Sequence, residues 1–203
     1  MAQSDNKNIR VWKERAAIDY VPPFMNLWLC LNAWMNNESK EGLVERDKLN
    51  KLKKDPSQLL DRFQGLMRAE DIQATLFRSY FAELHRALIN THIPYHKFPG
   101  KIVRFDCCLI DQTNPHFESI LVPQEEITGD LPFENSEIEQ EVIKLDDDVW
   151  VEGNTEHLFK AYIEIVYQVR CNLFHGDLVP DIENRRVIRL LYLTLFMIME
   201  DIG

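Results

Sequence analysis

Glycine is scarce in this chain. Seven of 203 residues are glycine, and none falls in GxGxxG or GxxxxGK order, so there is no glycine loop to cradle nucleotide phosphates. The Gly-x-Ser-x-Gly elbow of a serine hydrolase is also missing. No run approaches the ~18 apolar residues that a membrane-spanning helix needs. The polar stretch Met1 to Arg10 leads into no apolar leader core. We therefore expect a cytoplasmic protein that does not enter a membrane. The four cysteines are not spaced as a disulfide framework. Cys30 and Cys171 sit in apolar helical patterns, and Cys107 and Cys108 are adjacent in a strand-like run, which fits reduced thiols. Adjacent cysteines lack the CxxC spacing that lets two thiolates share one ion. Cys107 and Cys108 with His92, His96 and His116 are therefore a poor zinc set, and neither a metal nor a cofactor is expected.

Positive charge is also in short supply. Lys and Arg number 23 against 33 Asp and Glu, a net charge of −10. That excludes a protein that coats nucleic acid, because such binding rests on neutralising phosphates. An enzyme that touches a short RNA segment through a few cations in a cleft stays open. The imbalance is local: from Asp111 to His157 the only Lys or Arg is Lys144, whereas Lys40 to Lys54 is crowded with both.

What is present reads as helix. An apolar fraction of 45% suffices for a core, and the length suits one domain spanning 1–203. A short amphipathic helix is predicted over Ile9 to Asp19. Phe24 to Met35, behind Pro22-Pro23, is apolar on nearly every side and so predicts a central helix, with Asn26 and Asn32 as exceptions. Lys40 to Asn50 and Pro56 to Ala69 predict surface helices, the second with Asp55 as its cap and Pro56 at its first position. The lysines at 48, 51, 53 and 54 read as a solvated face. Asp71 to Asn90 predicts a helix with Ile72, Leu76, Tyr80, Phe81, Leu84 and Leu88 inward.

The pattern then changes. Lys101 to Ile110 alternates like a strand, with Glu118 to Val122 as a possible antiparallel partner. Gln124 to Asp148 reads as an acidic loop, Asp146-Asp147-Asp148 being solvated and lacking EF-hand spacing. Beyond a cap at Asn154-Thr155 the helical period returns. Tyr162, Ile165, Val166, Val169 and Leu173 form one face, Gly176 takes a left-handed terminating position, and Pro180 follows. A last helix, Glu183 to Ile202, turns Val187, Leu190, Leu191, Leu195, Ile198 and Met199 inward. The predicted fold is mainly all-α, a helical bundle with a β-containing acidic insertion at about 93–150.

One helix end concentrates chemistry. Arg170, Cys171, Asn172 and His175 stand on the capped helix before Gly176. An arginine and a histidine with four to six residues between them occur three times, at Arg78/His85, Arg86/His92 and Arg170/His175, so spacing alone does not choose among them. The third is set apart by its amphipathic helix, its polar Asn172 and its cap. Cys171 and His175 lie at i, i+4, but without a third orienting group for a thiol nucleophile. A second reading has Arg170 paired with an acidic neighbour and His175 merely favoured by the helix dipole.

The string Arg170-Cys171-Asn172-Leu173-Phe174-His175-Gly176, preceded by Tyr167-Gln168-Val169, closely resembles the Arg-x4–6-His motif of HEPN domains. Leu27-Trp28 and Leu31-Asn32-Ala33-Trp34 are similar to the first core helix of bacterial HEPN-like proteins. The final helix from Asn184 fits too, whereas Pro94 to Trp150 has no counterpart. Where many members carry Asn or Asp directly after the Arg, this chain has Cys171, then Asn172. The resemblance implies an α-helical bundle that homodimerises and brings two Arg/His pairs into one cleft. It implies a metal-independent endoribonuclease of a toxin–antitoxin or phage-defence kind, leaving a 2′,3′-cyclic phosphate. Arg170 and His175 would be catalytic, with Asn172 and Cys171 orienting the site or binding substrate. RNA is the implied substrate and an antitoxin or regulatory protein the implied partner. A non-catalytic HEPN-like binding module is the alternative.

Overall fold

Two prolines open the first helix. In the computed structural model, which describes residues 18–39, 42–96, 100–105, 109–111, 142–152 and 155–202, α1 spans Val21–Glu38 with proline in its first turn. There the missing N–H has no intrahelical partner to lose. Helices α2 (Glu45–Leu52), α3 (Gln58–Arg68) and α4 (Ile72–Ile89) follow. Three short strands come next, β1 (Leu109–Asp111), β2 (Val142–Lys144) and β3 (Val149–Glu152), then α5 (Thr155–His175) and α6 (Ile182–Met199). The described chain is mainly helical, as its periodicity predicts. No described helix is long and apolar enough to cross a membrane. The predicted helix at 9–19, the strand partner at 118–122 and Asn154 of the predicted cap lie outside the described residues.

Side-chain caps set where several helices begin. Asp71 Oδ1 accepts from the Ala74 N–H at 2.7 Å and Asp181 Oδ1 from the Asn184 N–H at 2.9 Å, each worth about 1 kcal/mol. Ser57, not Asp55, caps α3, its Oγ accepting from the Leu60 N–H at 3.2 Å. Asp55 is instead used by the previous helix end, donating its N–H to the Lys51 carbonyl at 2.9 Å. Helix α2 starts later than Lys40 because Gly42 adopts a left-handed φ of 90°, which a right-handed helix does not tolerate.

Aromatic packing joins α3, α4 and α5. Phe63 meets Phe77, Phe81, Phe159 and Tyr162 at ring-centroid separations of 5.4–6.0 Å. All five are fully or almost fully buried, and each contributes roughly 2–3 kcal/mol of burial. Tyr162 also carries a polar tip. Its hydroxyl lies 3.0 Å from Thr194 Oγ1 on α6. Burial drives its phenol well above the ordinary range, and that hydrogen bond only partly opposes the rise.

The central helix is α5 rather than α1. Helix α5 buries Tyr162, Ile163, Ile165, Val166, Gln168, Val169, Cys171 and Asn172, positions that go most of the way round it. Helix α1 buries a single stripe, Phe24, Trp28, Leu31 and Met35, and leaves Leu29 and Cys30 exposed. Its neighbours α2 and α6 cover that stripe. In α4 the buried face is Ala74, Phe77, Phe81, Leu84 and Leu88, whereas Ile72 and Leu76 are exposed. Steps of three and four from Phe81 lead to Phe77 and Ala74, so Ile72 and Leu76 turn outward.

A small antiparallel sheet, ordered β1-β3-β2, lies against α5. Val151 is its centre, opposite Leu109 on one side and Ile143 on the other. Strand β2 falls within Gln124 to Asp148, which reads from sequence as loop, and β3 follows directly after it. Of the three aspartates between them, Asp146 is tied into the turn, whereas the Asp147 and Asp148 side chains stay 95% and 50% exposed. Asp146 Oδ1 accepts from the Asp148 and Val149 N–H groups at 3.0 Å each. Both of its oxygens also face Arg86 of α4. Burial alone would raise the Asp146 carboxyl, but the Arg86 guanidinium and those N–H groups hold it below its ordinary value.

Candidate functional site

The end of α5 is built by its own cap. Gly176 has φ 75°, and the N–H groups of Asp177 and Leu178 turn back to the Asn172 carbonyl at 2.8 and 3.1 Å. This closes the last turn, with Leu178 buried beneath it. The Asn172 side chain is fully buried and donates from Nδ2 to the Pro94 carbonyl at 2.6 Å. One turn earlier, Gln168 Oε1 accepts the His96 N–H at 3.0 Å. Two amides of α5 therefore grip the 94–96 segment, and Asn172 acts as its anchor.

Gln168 is itself held. Its Nε2 donates to Glu164 Oε1 at 2.8 Å, and Glu164 sits between Arg46 and Lys53 of the α2 region. Burial would raise the Glu164 carboxyl; hydrogen bonds from Arg46, Lys53 and Gln168 bring it down to about 2. The lysines here are not a merely solvated face. Lys53 binds Glu164, Lys48 reaches the Asn36 side chain, and Lys51 reaches the Glu38 carbonyl.

The gripped segment delivers a second imidazole. The His96 ring stacks on His175 with centroids 4.3 Å apart and planes 8° from parallel. His96 Nδ1 lies 3.4 Å from Asp177 Oδ2. His175 is exposed, and so is its neighbour Phe174, at 66%. Phe174 meets the His175 ring edge-on at 5.4 Å.

Arg170 goes elsewhere. Five helical residues rotate a side chain by ~140°, which carries Arg170 toward α1 and α2. Its Nη2 lies 3.2 Å from Glu45 Oε1, with 18% of the side chain exposed. Its guanidinium carbon is 5.4 Å from the Trp28 ring and 5.2 Å from the Phe174 ring. Phe174 is thus the bridge between Arg170 and His175, which do not share a face. Cys171 is buried, with its Sγ 3.8 Å from Arg170 Nη1, a packed thiol and not an open nucleophile.

The chain matches no protein-family model, no curated protein and no solved structure. The reading therefore rests on the geometry. Of the other two Arg/His spacings, Arg78 donates to the Met67 and Ala69 carbonyls and His85 is buried. Arg86 is taken up by Asp146, and His92 is exposed on the segment after α4. Among the described residues no group of three His, Cys, Asp or Glu could hold a metal ion, and Cys107, Cys108 and His116 of the zinc set lie outside them. Sequence reasoning missed His96, Asp177, Gln168, Glu45 and Trp28 as parts of this site. His96 had one legible signal, a histidine just after a proline-broken helix end.

Proposed function

We propose that this chain is a HEPN-like, metal-independent endoribonuclease that works as a cytoplasmic homodimer, in the manner of a toxin or phage-defence effector. One observation carries the reading. Helix α5 ends in an exposed aromatic, Phe174, flanked by the Arg170 guanidinium and by a stacked imidazole pair. An exposed ring offers an unpaired base a stacking platform worth roughly 1–3 kcal/mol. A guanidinium suits phosphoryl oxygens through its planar fork, and an imidazole can move protons near neutral pH.

The chemistry follows from those parts. His175 takes the proton of the ribose 2′-hydroxyl as that oxygen attacks the adjacent phosphorus. Arg170 stabilises the charge that builds on the phosphoryl oxygens. The bond to the 5′-oxygen breaks, leaving a 2′,3′-cyclic phosphate and a 5′-hydroxyl. Because Arg170 and His175 diverge within one chain, a homodimer would set the Arg170 of one copy beside the His175 of the other. The test is cleavage of an RNA pool, with growth inhibition on expression. Both should vanish in His175→Ala while the far-UV spectrum and oligomeric state stay unchanged. A wild-type dimer that cleaves no RNA overturns the reading.

One contact favours a second reading. Glu45 already neutralises Arg170, whose buried Nε finds no partner among the described residues. In a non-catalytic HEPN-like binding module this pair would be structural. The acidic insertion at 111–157 would then serve a protein partner such as a basic antitoxin or regulator. That reading predicts a co-purifying partner, lost on deletion of 124–148, with no dependence on His175.

A further inference from the structure

We propose that His96 is a second catalytic imidazole, the acid that protonates the leaving 5′-oxygen while His175 acts as base. This rests on the ribonuclease reading above and extends it to a residue outside the Arg-to-His string. Cleavage by an internal 2′-hydroxyl needs two proton transfers, one off the nucleophile and one onto the leaving oxygen. A single imidazole facing both oxygens of an in-line displacement serves them poorly, since they lie on opposite sides of phosphorus. Two adjacent imidazoles meet the demand.

The position of His96 is built, not incidental. Asn172 holds the Pro94 carbonyl and Gln168 holds the His96 N–H. Backbone bonds from Tyr95 to Lys101, 2.9 Å, and from Val103 to Ile93, 2.8 Å, brace the same segment. Glu164, locked by Arg46 and Lys53, holds Gln168 in turn. All of this fixes one ring against His175 at 4.3 Å. Side chains held this way keep the sub-ångström placement that proton transfer needs.

The carboxylate assigns the roles. Asp177 Oδ2 lies 3.4 Å from Nδ1 of His96, an ion-pair distance without a hydrogen bond, and that edge of the ring is turned toward the carboxylate. That nitrogen is enclosed, so Nε2 is left to meet the substrate. Among the described residues no carboxylate is paired with His175, which is the more exposed ring. In the forward step the 2′-oxygen forms its bond to phosphorus and its proton passes to His175. The phosphorus–5′-oxygen bond breaks, and the proton on His96 Nε2 moves to the departing oxygen. The pair ends with its proton exchanged between rings, and solvent restores the starting state.

A leaving-group experiment tests this. RNA requires protonation of an alkoxide, whereas nucleoside 3′-(4-nitrophenyl) phosphates expel a phenolate that needs none. His96→Ala should lower RNA cleavage by roughly 10²–10³-fold and change aryl-ester cleavage by less than about threefold. His175→Ala should impair both. Retained aryl-ester turnover shows that the His96 variant is folded, and His96→Gln gives a second variant of closer size. Equal losses on both substrates would make His96 a structural residue and overturn the assignment, as would unchanged RNA cleavage. Wild-type protein that cleaves neither substrate overturns the ribonuclease reading and the role of His96 with it.

Discussion

Arg170 and His175 stand five residues apart on one helix and live in different chemical surroundings. Arg170 is 18% exposed, lies over Trp28 and Phe174, and is paired with Glu45. His175 is open to solvent and touches another imidazole. The first environment holds a cation in place, and the second leaves an imidazole open to solvent. A motif written as a spacing hides this, because about 140° of helix rotation separates its two members.

The largest expected effect falls on the open side. His175→Ala should cut RNA cleavage by 10³-fold or more, about 4 kcal/mol of transition-state stabilisation. Its thermal midpoint should move little, since the exposed ring gives up only its stack on His96 and its edge contact with Phe174, worth about 1 kcal/mol together at most. Arg170→Ala should instead lose stability as well as activity. Equal destabilisation by the two variants would erase the contrast drawn here.

Next comes the anchor between the two sides. Asn172 is fully buried and holds the Pro94 carbonyl. Asn172→Ala removes that bond and leaves a small void, at a cost of about 2–3 kcal/mol in urea unfolding. Histidine ring signals in NMR should show the His96–His175 stack loosening. A cost below about 0.5 kcal/mol would mean that the 94–96 segment is held without Asn172.

The support under Gln168 gives a pH signature. The Glu164 carboxyl falls from an ordinary 4.5 to about 2 in the folded chain. A carboxyl lowered by folding adds stability above its unfolded value and loses it as pH falls toward the folded one. Between about pH 5 and 2, wild type should therefore lose some 2 kcal/mol through this group, allowing for solvent screening. Glu164→Gln removes that component, so the difference between the two proteins should shrink as pH falls through this window. A constant difference would contradict the pairing with Arg46 and Lys53.

Much of the fold was legible because the helices are long and periodic. The inward face of α6 and the left-handed Gly176 follow directly from spacing. The α4 face did not, since Ile72 and Leu76 are apolar and helix-spaced yet turn away from α3 and α6. Strands β2 and β3 are three and four residues long, too short for alternation to show within an acid-rich stretch. The candidate site was half legible. Arg170 and His175 stand in a recognisable string, but Glu45, Trp28 and His96 reach it from distant parts of the chain. Contacts of that kind leave no periodic trace, and only the folded geometry brings them together.

The smallest effect is the one that separates the two readings of Arg170. Glu45 and Arg170 are partly exposed, at 28% and 18%, so breaking the pair should cost less than about 1 kcal/mol. Glu45→Gln keeps the shape and removes the charge that competes with a phosphate for the guanidinium. If Arg170 serves phosphoryl transfer, this variant should bind RNA and cleave it several-fold better, the gain disappearing in Glu45→Gln/Arg170→Ala. Stability and partner binding alone would change if Arg170 is a structural cation. Activity measured beside an urea midpoint thus tells a restrained catalytic arginine from a packed one, because only the first gains when its carboxylate is taken away.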